Sequence, residues 1–463
     1  MITASMKVMA LIFMLLYGSI LTTPAFAGDT LADVLREKGT ISKEDYIRIQ
    51  AHEEKQAAEM SKKKKDDEVK VGWGKKGFSL TTADGLFSTS IQWRFQGRYS
   101  YPESGDPRTV SAFNDQDEQN FELRRVRMKV GGFGYKPWIQ YYFEMDWQPS
   151  RASGEDSNDS APRLLDWRIM LEKFQWLQLQ IGQWKVNYNR ERVDSSGKQQ
   201  FVERSIVNRV FTIDRQVGVM IQGHLAPGTF ADSRYYLGVF NGSGRGELND
   251  DDQMMYMGRF QWNFLGRDLK WEQSDTEYHE RPAGSVAFGA YTTTGKCTRW
   301  SSSGCGTLSS PDSLGNAFTS DSNAANGQFR VEGMVEEFAF KWRGLSIQHE
   351  YHWKQVKDSG GGISGVPSSK TNLMGSYSQI GYFPHGLIPA IPKPLEVAFR
   401  YAFVDPNVFA KNDKRQEFTF ATNWFFAGHR NKLTLDVSYL TLAVPTGKDL
   451  IEERIRLQWD VSF

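Results

Sequence analysis

The stretch FSTSIQWRFQGRYSY, residues 87 to 101, places Phe87, Ile91, Trp93, Phe95, Tyr99 and Tyr101 at odd positions and Ser88, Ser90, Gln92, Arg94, Gln96, Arg98 and Ser100 at even ones. Alternation with period two marks a strand with two unlike faces. In a soluble sandwich the apolar face packs on a second sheet and the polar face meets water. In a membrane barrel the apolar face meets lipid and the polar face lines a lumen. The rest of the chain decides between them.

Composition favours the barrel. Mean hydropathy is -0.52, yet 13% of the 463 residues are aromatic and 14 are Trp. Aromatic surplus without long apolar runs fits a girdled transmembrane barrel better than a soluble core rich in Leu, Ile and Val. After the first thirty residues nothing approaches the run of about 20 apolar residues that a spanning helix needs. The start reads as an export leader: Lys7, the apolar run VMALIFMLLYGSILTT, then Ala25-Phe26-Ala27. Residues 1–27 are therefore expected to be a cleaved signal peptide, with the mature chain beginning near Gly28. Removing Lys7 from 56 basic residues leaves 55 against 55 acidic ones. That balance points to no nucleic-acid partner.

Residues 28–68 differ from the remainder of the chain. Leu31, Val34, Leu35, Ile41, Tyr46, Ile47 and Ile49 recur at helical spacing, interrupted at Gly39-Thr40, with Ser42 as an N-cap. This predicts two short periplasmic helices, which either help to hold a trimer or act as a tether. KKKKDDE at 62–68 is expected to be a solvated, charged linker.

From residue 78 to 463 strand follows strand. WIQYYFEMDW at 138–147, LEVAFRYAF at 395–403 and KLTLDVSYL at 432–440 repeat the alternation, and about sixteen such segments occur. An even number suits a closed antiparallel transmembrane β-barrel, an all-β fold. Short links at 131–137, 174–175, 343–344 and 427–431 alternate with long polar links at 148–163, 189–213, 242–252, 295–327 and 357–371. Short periplasmic turns and long external loops are the outer-membrane arrangement. Two inward links, 265–284 and 384–394, break the rule. Ile455, Leu457, Trp459, Val461 and Phe463 alternate to a terminal aromatic, which resembles the signal that outer-membrane barrels present to the barrel assembly machinery. The expected surroundings are outer-membrane lipids and lipopolysaccharide.

IGQWKVNYNRERVDSSGKQQFVERSIVNRVF at 181–211, FELRRVRMKVGGFG at 121–134 and YSQIGYF at 377–383 resemble the phosphate-selective porin O and P family. In that family a strand ending in a GQ-aromatic-Lys segment, here through Lys185, leads into a loop containing FVERS. The resemblance implies a sixteen-stranded homotrimeric porin passing small anions, in some members phosphate or polyphosphate.

The residues themselves argue for anions. Arg94 and Arg98 share the lumen parity of the first strand, and Arg125, Arg127 and Lys129 that of the second. Closure brings Arg454 and Arg456 of the last strand beside them, with Glu122 and Asp460 as acids of the same wall. Rows of Arg and Lys supply charge and N–H donors to an anion shedding water. The alternative is a general porin wall, in which Glu144, Asp146, Asp166 and Glu172 face the basic residues. In the 189–213 loop Arg190, Arg192, Lys198, Arg204 and Arg209 outnumber Glu191, Asp194 and Glu203. Folded inward they would narrow and filter the pore; left outside they would be solvated or pair with lipopolysaccharide phosphates.

Cys297 and Cys305, in GKCTRWSSSGCG, are expected to form a local disulfide, with a redox pair or metal site as the weaker reading. His349 and His352 lie on opposite faces of a strand and cannot chelate one metal. Gly242-Ser243-Gly244 lacks a nucleophile elbow, and GGGISG at 360–365 has no Lys-Ser/Thr or helix after it. No cofactor or metal is called for, and an embedded enzyme or a surface adhesin is the rival of another class.

Overall fold

The computed structural model describes residues 31–66, 69–74, 77–102, 113, 119–148, 162–301, 304–306, 328–358, 362–363, 366–367, 370–444 and 447–463. The signal-peptide reading at residues 1–27 lies outside the described residues. The chain divides into two units, Met1–Glu68 and Val69–Phe463.

In the first unit a helix at Leu31–Glu37 precedes one at Lys43–Asp66. Ser42 caps the second: its Oγ accepts from the Asp45 backbone N–H at 3.1 Å and donates to Asp45 Oδ2 at 2.7 Å. This second helix has 24 residues and runs through Lys62 to Asp66, where a linker was expected. Lys, Glu, Gln and Ala all favour helix, so the charge run prolongs the helix instead of ending it.

The second unit is a closed barrel of sixteen antiparallel strands among the described residues. A hairpin of β1 (Val69–Gly74) and β2 (Gly77–Thr82) precedes it and lies against the start of the first barrel strand, with Phe78 opposite Ile91. The barrel strands are β3 (Phe87–Tyr101), β4 (Asn120–Gly134), β5 (Lys136–Asp146), β6 (Arg163–Phe174), β7 (Leu177–Lys185), β8 (Arg215–Leu225), β9 (Ser233–Phe240), β10 (Met255–Trp262) and β11 (Ala283–Gly295), followed after a small external hairpin, β12 (Arg299–Ser301) and β13 (Gly304–Gly306), by β14 (Phe329–Trp342) and β15 (Leu345–Asp358). Another small hairpin, β16 (Gly362–Ile363) and β17 (Val366–Pro367), precedes β18 (Lys370–Tyr382), β19 (Leu395–Asp405), β20 (Arg415–Phe425), β21 (Asn431–Leu442) and β22 (Leu450–Ser462). Closure is made by β22 on β3, from Ile455 opposite Tyr101 to Ser462 opposite Arg94.

Burial is inverted relative to a soluble sheet. Along β22, Glu452, Arg454, Arg456, Gln458 and Asp460 are buried while Ile451, Ile455, Leu457 and Trp459 are exposed. A soluble sandwich would do the opposite; a membrane barrel requires this. Trp93 accordingly faces outward and Arg94 inward. No described helix is long and apolar enough to cross a membrane.

Candidate functional site

Residues 186–214, joining β7 to β8, fold inside the barrel. Two helical turns, Arg190–Val193 and Val207–Phe211, brace the segment. Val186, Tyr188, Val207, Phe211 and Ile213 bury their apolar side chains against Tyr291, Trp300 and Tyr377. Its polar groups reach lumen-facing partners around the wall. Arg94 of β3 donates to Ser195 Oγ at 2.9 Å and Ser196 Oγ at 2.8 Å. Asn189 donates to Glu350 of β15 at 2.9 Å, and the backbone of Val202 to Asp436 of β21 at 3.0 Å. Ile206 N–H donates to Glu417 of β20, and Lys354 donates to the Val210 carbonyl.

The expected basic wall is present but largely paired. Arg98, Arg124 and Arg125 converge on Glu203 of the loop, with N···O separations of 2.6, 3.2 and 3.1 Å. Arg127 bridges Glu144 at 2.9 Å and Asp146 at 3.0 Å. Arg454 pairs with Glu452 at 2.6 Å, Arg456 with Asp436 at 2.8 Å, and Arg192 with Asp214. Arg190 stacks over Trp271 at 4.9 Å and donates to the Lys270 carbonyl. Arg209 sits on the second helical turn, half-buried. Burial alone would lift the Glu203 carboxyl, but Arg125, Arg98 and Arg124 hold it well below the usual carboxylate range.

Arg94, Lys129, Lys185 and Arg204 differ from these. Among the described residues none has a carboxylate within ion-pair distance. Arg204 is tied instead to the carbonyls of Glu191 and Asp194, at 2.9 and 2.6 Å. Lys129 lies within electrostatic reach of Glu144, Arg94, Arg127 and Asp166, and Lys185 within reach of Arg204, Arg215 and Arg192. These cations without a direct ion-pair partner among the described residues gather on β3, β4, β7 and the loop facing them.

Two features escape sequence reasoning. Strict alternation puts Arg124 on the lipid side, yet a register shift pairs Gln96 with Arg125 and Gly97 with Leu123, so Arg124 is the extra residue of a bulge and turns to Glu203. The other feature is the inward link 263–282 between β10 and β11. Glu272, Gln273, Ser274 and Asp275 are buried, and Glu272 pairs with Lys198 of the loop at 3.2 Å. Gln273 N–H donates to the Lys198 carbonyl at 3.0 Å, and Gln200 N–H donates to Gln273 Oε1 at 2.8 Å. The lumen thus receives one insertion from each end, and the two meet. The long link expected as an exception at 265–284 is this insertion.

At the external end a disulfide joins Cys297 to Cys305, Cα atoms 5.5 Å apart, around the β12–β13 hairpin. Trp300 of that hairpin is buried, donates to the Gly242 carbonyl at 2.6 Å and meets Tyr291 edge-on. His352 points inward and His349 outward to Ser378 Oγ at 2.8 Å.

The model of one family, phosphate-selective porin O and P, matches residues 104–444. Among solved structures the chain is similar to the outer membrane channel DcaP of Acinetobacter baumannii, at 11% identity and a TM-score of 0.52, covering 81% of this chain and 97% of that one. It is also similar to an anion-selective porin from Comamonas acidovorans, at 9% identity and a TM-score of 0.50, covering 81% and 100%. OprB of Pseudomonas putida matches at 11% identity and a TM-score of 0.50, covering 81% and 94%. At such identities the likeness is one of fold. No curated protein sequence matches the chain.

Proposed function

The chain belongs to the phosphate-selective porin O and P family, and on that premise we propose that this outer-membrane porin passes small anions, phosphate and polyphosphate among them, by diffusion through its lumen. One observation carries the reading: Arg94, Lys129, Lys185 and Arg204 face the lumen, and among the described residues no carboxylate lies at ion-pair distance from them. Cations already paired to fixed acids have little charge to offer a passing ion, whereas a guanidinium without such a partner, as at Arg94, keeps its own. Arg94 also arrives prepared. Its guanidinium nitrogens donate to Ser195 and Ser196. Each serine hydroxyl that accepts retains its own hydrogen for an anion. Donors of this kind replace the hydration that an anion sheds at a constriction. The working assembly on this reading is a homotrimer, which native mass spectrometry measures directly.

A general porin without anion preference is the competing reading, and the ion pairs of Arg98, Arg125, Arg127, Arg454 and Arg456 are what favour it. The zero-current potential in a potassium chloride gradient separates the two. Anion preference in the wild type, lost in Arg94→Gln/Lys129→Gln and accompanied by phosphate block of the chloride current, supports the proposal. A cation-preferring or indifferent wild-type pore overturns it.

A further inference from the structure

Outside the lumen, where the outward face is mainly apolar among the described residues, basic side chains line up at one place. Arg330 of β14 stands opposite Lys357 of β15, and Lys357 opposite Lys370 of β18. The three share the outward parity of Met334, Trp353 and Met374. Lys370 opens its strand, Arg330 is second in its own and Lys357 next to last in its own, so the row lies at the end from which the long loops leave. In an outer-membrane barrel that end is the external leaflet. Arg330 pairs with Glu332 at 2.8 Å, while Lys357 and Lys370 have no ion pair among the described residues. Among the described residues the row keeps a surplus of two positive charges.

Beside this row the outer surface is indented. A groove of about 730 Å³ crosses β8 to β15, with Gly258 and Ala290 in its floor and Leu237, Tyr256, Met334 and Trp353 along its sides. The floor is deep because the side chains are missing: a Cβ on Gly258 would already touch Leu237 at 3.4 Å. Glu332, which pairs with Arg330, also lines the groove, so groove and cationic row adjoin. Volumes of this order hold a small-molecule ligand. Free acyl chains of the bilayer gain nothing from three cations, and a soluble anion gains nothing from the groove. A ligand with an anionic head and acyl tails uses both.

We propose that this face binds one phosphorylated glycolipid of the external leaflet, of the kind that anchors lipopolysaccharide, with a phosphate on Arg330, Lys357 and Lys370 and an acyl chain in the groove. The proposal rests on the barrel lying in the outer membrane and is independent of which ion the lumen prefers.

The test titrates diphosphorylated lipid A into the delipidated full-length protein and reads bound lipid by native mass spectrometry, with dephosphorylated lipid A as the second probe. Wild type binds the phosphorylated form more tightly. In Arg330→Gln/Lys357→Gln/Lys370→Gln the affinity falls by about fivefold per charge, about a hundredfold in all. Gly258→Leu, with the charges intact, weakens both probes by filling the groove. Retained heat-modifiable migration in electrophoresis shows that each variant is folded. Equal affinity of wild type for the two probes, or of wild type and the triple variant for the phosphorylated one, overturns the proposal. So does loss of the oligomer in the triple variant with lipid binding unchanged, because the face would then meet a second copy.

Discussion

Glu203 Oε1, on the loop inside the barrel, lies 2.6 Å from Nη2 of Arg98 on the wall, and Arg124 and Arg125 reach the same carboxylate. This acid therefore fixes the loop to β3 and β4, and with Glu122, 3.6 Å from Arg98 and 3.9 Å from Arg124, it leaves the three arginines one positive charge in surplus. With its carboxyl held well below the usual range by those arginines, Glu203 stays ionised across ordinary pH. Glu203→Gln should free one further positive charge and loosen the loop. A unit charge at 4 Å in water is worth about 1 kcal/mol, about fivefold in local anion enrichment. The expected record is a zero-current potential shifted further to the anion side, with noisier open-channel current. An unchanged potential in a folded variant would place Glu203 away from the ion path.

The link 263–282 enters from the periplasmic end and meets the loop through Glu272 and Gln273. Lys341 supports it from the wall, donating to the Ser274 carbonyl at 2.8 Å. Replacing residues 265–281 by a two-residue turn removes this inner insertion while β10 and β11 keep their pairing. Single-channel conductance should rise severalfold, as a constriction becomes shorter and wider. Conductance equal to wild type would show that the loop alone sets the resistance.

Much of the fold is legible in the chain itself. Trp93 and Arg94 announce the two faces, and the sixteen strands and their closure follow from the same alternation. The loop's inward course could only be posed as an alternative, because the bonds that hold it, such as Asn189 to Glu350 and Val202 to Asp436, join residues 161 and 234 positions apart. Sequence parity also counts charges without their partners. It lines Arg98, Arg125 and Arg127 along the lumen and leaves open whether acids face them, whereas in the structure Glu203, Glu144 and Asp146 meet them. Arg124 is hidden by a bulge, since alternation has no way to signal one extra residue.

The Cys297–Cys305 bridge closes a short loop whose Trp300 is buried in the apolar cluster shared with the inward loop. Closing a segment of this length is worth about 2.5 kcal/mol on a chain-entropy basis. Cys297→Ser/Cys305→Ser should leave the barrel assembled but admit protease at residues 296–306, read by limited proteolysis of intact cells. Peptide mapping of non-reduced wild type that found both thiols free would remove the basis for the expectation.

Asp194 should give the lumen a pH dependence. It lies in the inward loop, is fully buried, and among the described residues its Oδ2 accepts only a long bond from Gln348 at 3.3 Å. Burial pushes its carboxyl up to about 6, although Arg190 and Lys341 partly oppose this. The ordinary value is about 3.9, so the folded state holds the proton more tightly than the unfolded one. Its contribution to stability is complete below about pH 4 and is lost as pH rises through about 6. The loss is at most about 3 kcal/mol. The same titration acts on permeation: Asp194 is neutral at pH 5 and negative at pH 7.5, so anion preference should strengthen on acidification. Asp194→Asn should hold the low-pH potential at every pH between 5 and 7.5, and resist heating better than wild type at pH 7.5. Glu191, whose carboxyl is also raised by burial and by Glu350, is the other acid of the loop shifted in this direction. If the pH step survives in Asp194→Asn and disappears in Glu191→Gln, the switch belongs to Glu191 and the Asp194 assignment is wrong.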